Sequence, residues 1–114
     1  MIIFVALSAT QTRADDDNAR VAMVSGMETC GKFARSYAQS TVVEEIYFQW
    51  AQGFITGMNV GKVAIAGVIR DLNWEPTPMA AIREYCNDHP PASYQDAAVD
   101  LFSHFKEFRY QEKQ

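Results

Sequence analysis

The sequence predicts an all-α fold: a small bundle of four main helices around a central Gly-x-x-x-Gly helix, fastened by one disulfide. Three observations carry that prediction. Apolar residues recur at helical spacing from Glu44 to Gly61, helix-opening signals stand at Thr41, Thr77-Pro78 and Ser93, and the only two cysteines, Cys30 and Cys86, flank the central stretch.

The first helix is read from about Ala19 to Ala38, with Val21, Val24, Met27, Cys30, Ala34 and Ala38 near helical spacing. Gly26 and Gly31 weaken its first half, so the pattern is strongest from Glu28 onward. The central helix opens on Thr41-Val42-Val43-Glu44, which has the Ser/Thr-x-x-Glu form of a capping box. At about 100° per residue Val43, Tyr47, Trp50, Phe54 and Met58 fall on one line, while Glu45, Gln49, Gln52, Thr56 and Asn59 form a polar strip opposite. Gly53, Gly57 and Gly61 recur on one flank, each costing roughly 1 kcal/mol against alanine inside a helix. The compensation expected is a neighbouring helix approaching closely there, with Trp50 packed inside; the alternative is a helix ending at Gly57 or Gly61.

For residues 62–76 two readings stand: a helical extension that turns at Gly67, or a loop lying over the domain with Trp74 plugged into it. The third helix opens with Thr77 as cap and Pro78 at its first position, lines Met79, Ile82 and Cys86 on one face, and stops at His89-Pro90-Pro91. Ser93-Tyr94-Gln95-Asp96 repeats the capping logic for a last helix running to about Tyr110, with Tyr94, Ala98, Leu101, Phe102, Phe105 and Phe108 as its core face.

One hundred and fourteen residues, 48% hydrophobic and 21% charged, suit one domain small enough to benefit from a covalent staple. The net charge of -4 argues against nucleic acid as a partner and favours a neutral or basic protein. Residues 1–14, Met1 to Ala14, read as the apolar region and cleavage end of a secretory signal whose start is incomplete, leaving 15–114 as the helical domain; the other reading is a short apolar N-terminal strand or helix. Export implies a Cys30–Cys86 disulfide; a cytosolic chain would keep two buried thiols. The run Ile46 to Ile69 is long enough to span a membrane, but Gln49, Gln52, Asn59 and Lys62 exclude a lone lipid-facing helix.

Little here points to catalysis. Asp96, Asp100 and His104 share i, i+4, i+8 spacing, which suits a metal-ligand row and equally a solvated helix flank. No phosphate-binding glycine loop, Ser-His-Asp set or Cys-His set is suggested, so no enzyme, metal or cofactor is expected. Trp74 and Tyr110 fall outside the core faces and are the candidate partner contacts; otherwise both cap the core.

Together the signal-like start, a cysteine in the first helix, the Tyr47-x-x-Trp50-x-x-Gly53-x-x-x-Gly57-x-Asn59 helix, the Tyr85-Cys86-Asn87-Asp88-His89-Pro90 element and the final Ala97-Ala98-x-x-Leu101-Phe102 helix resemble a group of small helical periplasmic proteins. That group includes the type VI secretion amidase-immunity (Tai-like) proteins and the HdeA-type acid-stress chaperones. The glycine-spaced helix resembles the immunity branch, and the single cysteine pair resembles the HdeA arrangement. The resemblance implies a periplasmic bundle, with a homodimer as one form, that acts by binding another protein. In the immunity case a rigid acidic surface would occlude a toxin that attacks the cell wall. In the chaperone case acid would loosen the fold or the dimer and expose apolar surface to unfolding clients.

Overall fold

The computed structural model describes residues 25–74 and 78–111. The signal-like segment, the cap Thr77 and the tail 112–114 lie outside the described residues. A 3-10 turn, Ser25–Met27, precedes α1 (Cys30–Tyr37), α2 (Thr41–Ala66), β1 (Val68–Arg70), α3 (Pro78–Asp88), α4 (Tyr94–His104) and β2 (Glu107–Arg109). The fold is mostly helical with four helices, as the sequence predicts. Among the described residues no helix is long and apolar enough to cross a membrane.

α1 begins late, at Cys30, where the Thr29 side chain accepts from the Lys32 amide at 3.1 Å. This is the capping arrangement that satisfies a first-turn donor. Gly26 lies directly under Trp50: a Cβ there would stand 2.2 Å from the indole. What looked in the sequence like a helix-weakening glycine is a close-approach site.

α2 departs from its predicted opening. Ser40, not Thr41, is the cap, its hydroxyl accepting from the Val43 amide at 3.3 Å. Glu44 therefore does not close a capping box. It is buried and hydrogen-bonded through both oxygens to the Arg83 guanidinium of α3, which also lies 4.8 Å over the Tyr37 ring. α2 then runs through Gly57 and Gly61 and ends only at Gly67, whose φ of 66° is the left-handed conformation that glycine adopts without a Cβ penalty. The extension reading of residues 62–67 is the one the structure shows.

The expected helix contact at Gly53, Gly57 and Gly61 is absent among the described residues: a Cβ built on any of the three meets nothing within 4 Å. The reason is rotational. The buried line of α2 is Glu44, Tyr47, Ala51, Ile55 and Asn59, and at about 100° per residue the glycines fall on the far side. Trp50 sits at the edge of this line, stacked on Phe54 at 4.9 Å.

The core lies where α1, α2, α3 and α4 meet. Phe33 is within 4.8 to 5.1 Å of the Tyr37, Tyr47 and Tyr94 rings, and Tyr47 is 4.9 Å from Tyr94. Ile55, Ile82, Ala97, Ala98, Leu101 and Phe102 fill the remainder. The Cys30–Cys86 disulfide joins α1 to α3 across a sequence separation of 56, a closure worth about 4 kcal/mol in the chain-entropy model. Beside it the chain is stitched by backbone bonds, Cys30 N to Ala92 O at 2.7 Å and Tyr94 N to Glu28 O at 2.8 Å, so the capping residues Thr29 and Ser93 form a bridge. Ser93 and Asp96 complete the predicted capping box of α4.

The last helix is shorter than predicted. It stops at His104, and the chain turns extended at Phe105 to pair β2 antiparallel to β1. Arg70 holds that exit: its Nη1 donates to the carbonyls of Ser103 at 3.1 Å and Phe105 at 2.7 Å, satisfying the end of α4. Phe108 consequently belongs to a strand and not to the helical core face.

Candidate protein-binding face

At the end of the molecule away from the disulfide, the C-terminal half of α2 meets the β1–β2 pair. Asn59 makes this junction. It is 8% exposed, and its side-chain amide treats Arg70 as a strand partner, donating to Arg70 O at 3.0 Å and accepting from Arg70 N at 2.8 Å. A polar residue on a helix thus replaces the neighbouring strand that β1 lacks on that side. The Arg70 side chain braces the other direction, through the α4 carbonyls, the Phe102 ring at 5.2 Å and a 3.6 Å approach to Glu107. Its buried Nε has no hydrogen-bond partner among the described residues.

The surface built on this junction is apolar. A groove of about 400 Å³ is lined by Val60, Val63, Ala64, Ile69 and Tyr110, and it adjoins a second of about 500 Å³ lined by Ile69, Leu72 and Phe108. Val60 is 65%, Phe108 44% and Tyr110 43% exposed, so large apolar side chains stand in water side by side. A small folded domain hides such clusters unless something else covers them. Charged groups of both signs border it: Arg70 and Asp71 line the second groove, and Lys106 stands 5.1 Å over the Phe108 ring. Gly57 and Gly61 leave the adjoining outer side of α2 bare.

Of the residues singled out in the sequence, Tyr110 lies in this face. Trp74 does not: it is half-buried between Phe48 at 6.0 Å and Phe105 at 5.6 Å, where it covers the core. The sequence reading missed Val60, Val63, Ile69 and Phe108. Their signal was present as exposed apolar residues at the end of α2, but it was masked by assigning Phe108 to a helix.

A second, polar cleft of about 580 Å³ runs between α3 and α4 and is lined by Glu84, Tyr85, Asp88, His89, Asp100 and His104. Each imidazole uses Nδ1 on a carbonyl one turn earlier, His89 on Tyr85 at 2.9 Å and His104 on Asp100 at 2.7 Å. The cleft is acidic and solvated, and Asp100 with His104 forms a 3.7 Å surface pair of the kind that contributes little. Among the described residues no group of three or more His, Cys, Asp or Glu is placed to hold a metal ion. Asp96, the third member of the predicted row, is engaged in its capping box.

Burial governs the titrating groups of the core. It is the main cause raising the Tyr94 hydroxyl above the ordinary tyrosine value, with the charge of Glu44 and then Tyr47 adding to it. Tyr47 is raised first by burial and then by Glu28. The hydrogen bonds to Glu44 raise Arg83 above its ordinary value, so this guanidinium keeps its charge and holds α2 to α3.

Comparison with family models, with curated proteins and with solved structures gives no match to this chain.

Proposed function

We propose that the chain is an exported protein-binding protein, an immunity-type inhibitor that occludes a periplasmic toxin or cell-wall hydrolase. The observation that supports it is the apolar face of Val60, Val63, Ile69, Phe108 and Tyr110, presented on a body whose other end is fixed by a disulfide. Asn59 and the Arg70 guanidinium tie this face to α2 and α4 before any partner arrives, and a surface held in place loses little conformational freedom on docking. Export is supported by the signal-like residues 1–14 and by the disulfide, a bond that persists in oxidising compartments. The reading assigns the chain no catalytic activity, cofactor or metal.

The acid-stress chaperone is the second reading, and one contact favours it. The buried Glu44 carboxylate joins α2 to α3 through the Arg83 guanidinium, so one inter-helix contact of this fold is a charged pair of the kind an acid-responsive protein would use.

The test is co-elution from periplasmic extract at pH 7, with oxidised residues 15–114 as bait. A single hydrolase retained in fixed stoichiometry, and inactive in the complex, is the expected result. An empty lane at pH 7 combined with protection of aggregating clients in acid would replace the inhibitor with the chaperone. Sedimentation of the free protein reports whether a homodimer forms first.

A further inference from the structure

We infer that the outer edge of β2 takes an extended acidic segment of the partner as a third strand; this rests on the protein-binding reading above and names how the partner is held. The register pairs Val68 with Arg109, Ile69 with Phe108 and Arg70 with Glu107. Bonds from Asp71 N to Lys106 O and from Tyr110 N to Gly67 O, both 2.8 Å, mark Arg70–Glu107 and Val68–Arg109 as the non-hydrogen-bonded pairs of the ladder. The backbone N–H and C=O of Arg70, Glu107 and Arg109 therefore point away from the opposite strand. On the β1 side Arg70's groups are taken by Asn59. On the β2 side Glu107 and Arg109 face outward, all three β2 residues are exposed, and no third strand lies there among the described residues. One edge of this sheet is closed by a helix amide and the other is open, and an open edge is a template for strand addition.

Side chains select the occupant. Phe108 and Tyr110 share with Ile69 one face of the pair, so every second residue of a strand added beside β2 lies next to these two aromatic rings. Along this edge two cations, Lys106 and Arg109, outnumber one acid, Glu107, which approaches Arg70 at 3.6 Å, and Arg109 has no ion pair among the described residues, so the edge is locally positive on a chain that is net negative. An alternating apolar–acidic strand satisfies both.

The test is titration of ¹⁵N-labelled oxidised protein at pH 7, in about 50 mM salt where surface charges remain felt, with an acetylated, amidated peptide of alternating glutamate and valine. Saturable shifts centred on residues 107–109 are expected, with exchange of the Glu107 and Arg109 amides slowed at least tenfold. The lysine–valine analogue binds at least tenfold more weakly, and the same peptide with N-methylated backbone amides does not bind. Glu107→Pro removes an outward N–H together with a repelling acid. Loss of binding in that variant, with an unchanged helical circular dichroism spectrum, identifies backbone pairing. The inference is overturned if the acidic peptide fails to bind, if its N-methylated form binds equally well, or if Glu107→Pro binds as wild type. It is also overturned by a captured hydrolase whose complex leaves Glu107 and Arg109 exchange unchanged, an outcome that would keep the protein-binding reading.

Discussion

The disulfide end and the hairpin end of this protein are stabilised in opposite ways. At the first, a covalent link, a backbone bridge and a cluster of Phe33, Tyr47 and Tyr94 are superimposed within a few residues. At the second, a three-residue strand pair is held to α2 chiefly by one asparagine and leaves Phe108 and Tyr110 in water. A strand pair of this size is marginal alone. The difference teaches that the contacts that stabilise the fold and the surface proposed to meet a partner are carried by different parts of the molecule.

The strongest way to break the comparison is to remove the staple. Replacing both cysteines, Cys30→Ala with Cys86→Ala, should lower unfolding free energy by about 4 kcal/mol, and Phe33→Ala by about 3 to 5 kcal/mol through the cavity it leaves; denaturant unfolding measures both. Alkaline pH strikes the same end. Below the ordinary tyrosine value both folded and unfolded chains are protonated and Tyr94 keeps its full contribution. Above about pH 10 the unfolded chain ionises while folded Tyr94, its proton held by burial, does not, so stability should fall by about 1.4 kcal/mol per pH unit until the folded value is reached. Tyrosine absorbance should then lag until unfolding; early ionisation of Tyr94 would contradict its placement.

Smaller effects belong to the other end. Asn59→Leu leaves the Arg70 N–H and C=O without their partner and should cost about 1 to 3 kcal/mol, accelerating amide exchange in β1 and β2 while leaving α1 and α3 protected. Gly57→Ala should stabilise by up to about 1 kcal/mol, since its Cβ enters open space. A loss of stability there would reinstate the close helix contact that is absent among the described residues. Smallest of all, Val60→Ala should change stability by less than about 0.5 kcal/mol and register only in partner binding.

What the sequence made legible was local or covalent. The Ser93–Asp96 capping box, the stop at His89-Pro90-Pro91 and the cysteine pair each follow from a few adjacent residues or an even count. The errors came where a local signal had a distant competitor. Glu44 fits a capping box by spacing, but Arg83, 39 residues away, claims its carboxylate. Asn59 reads as the polar side of a helix until β1 arrives beside it. The strands are three residues long, too short to show a period, and the end of α4 is set by a side chain from residue 70. Of the candidate contacts Tyr110 lies in the open face, and Trp74 packs against Phe48 and Phe105 because α2 and the end of α4 converge there.

The central claim is that recognition sits at the hairpin end, and the most direct measurement is calorimetric titration of the captured partner with wild type and with the double variant Val60→Asp, Tyr110→Asp. The account predicts a melting temperature close to wild type and an affinity lowered at least a hundredfold. Unchanged affinity in a folded double variant, with binding lost on neutralising Glu84 and Asp88 in the α3–α4 cleft, would contradict it and place the interface on the acidic side of the molecule.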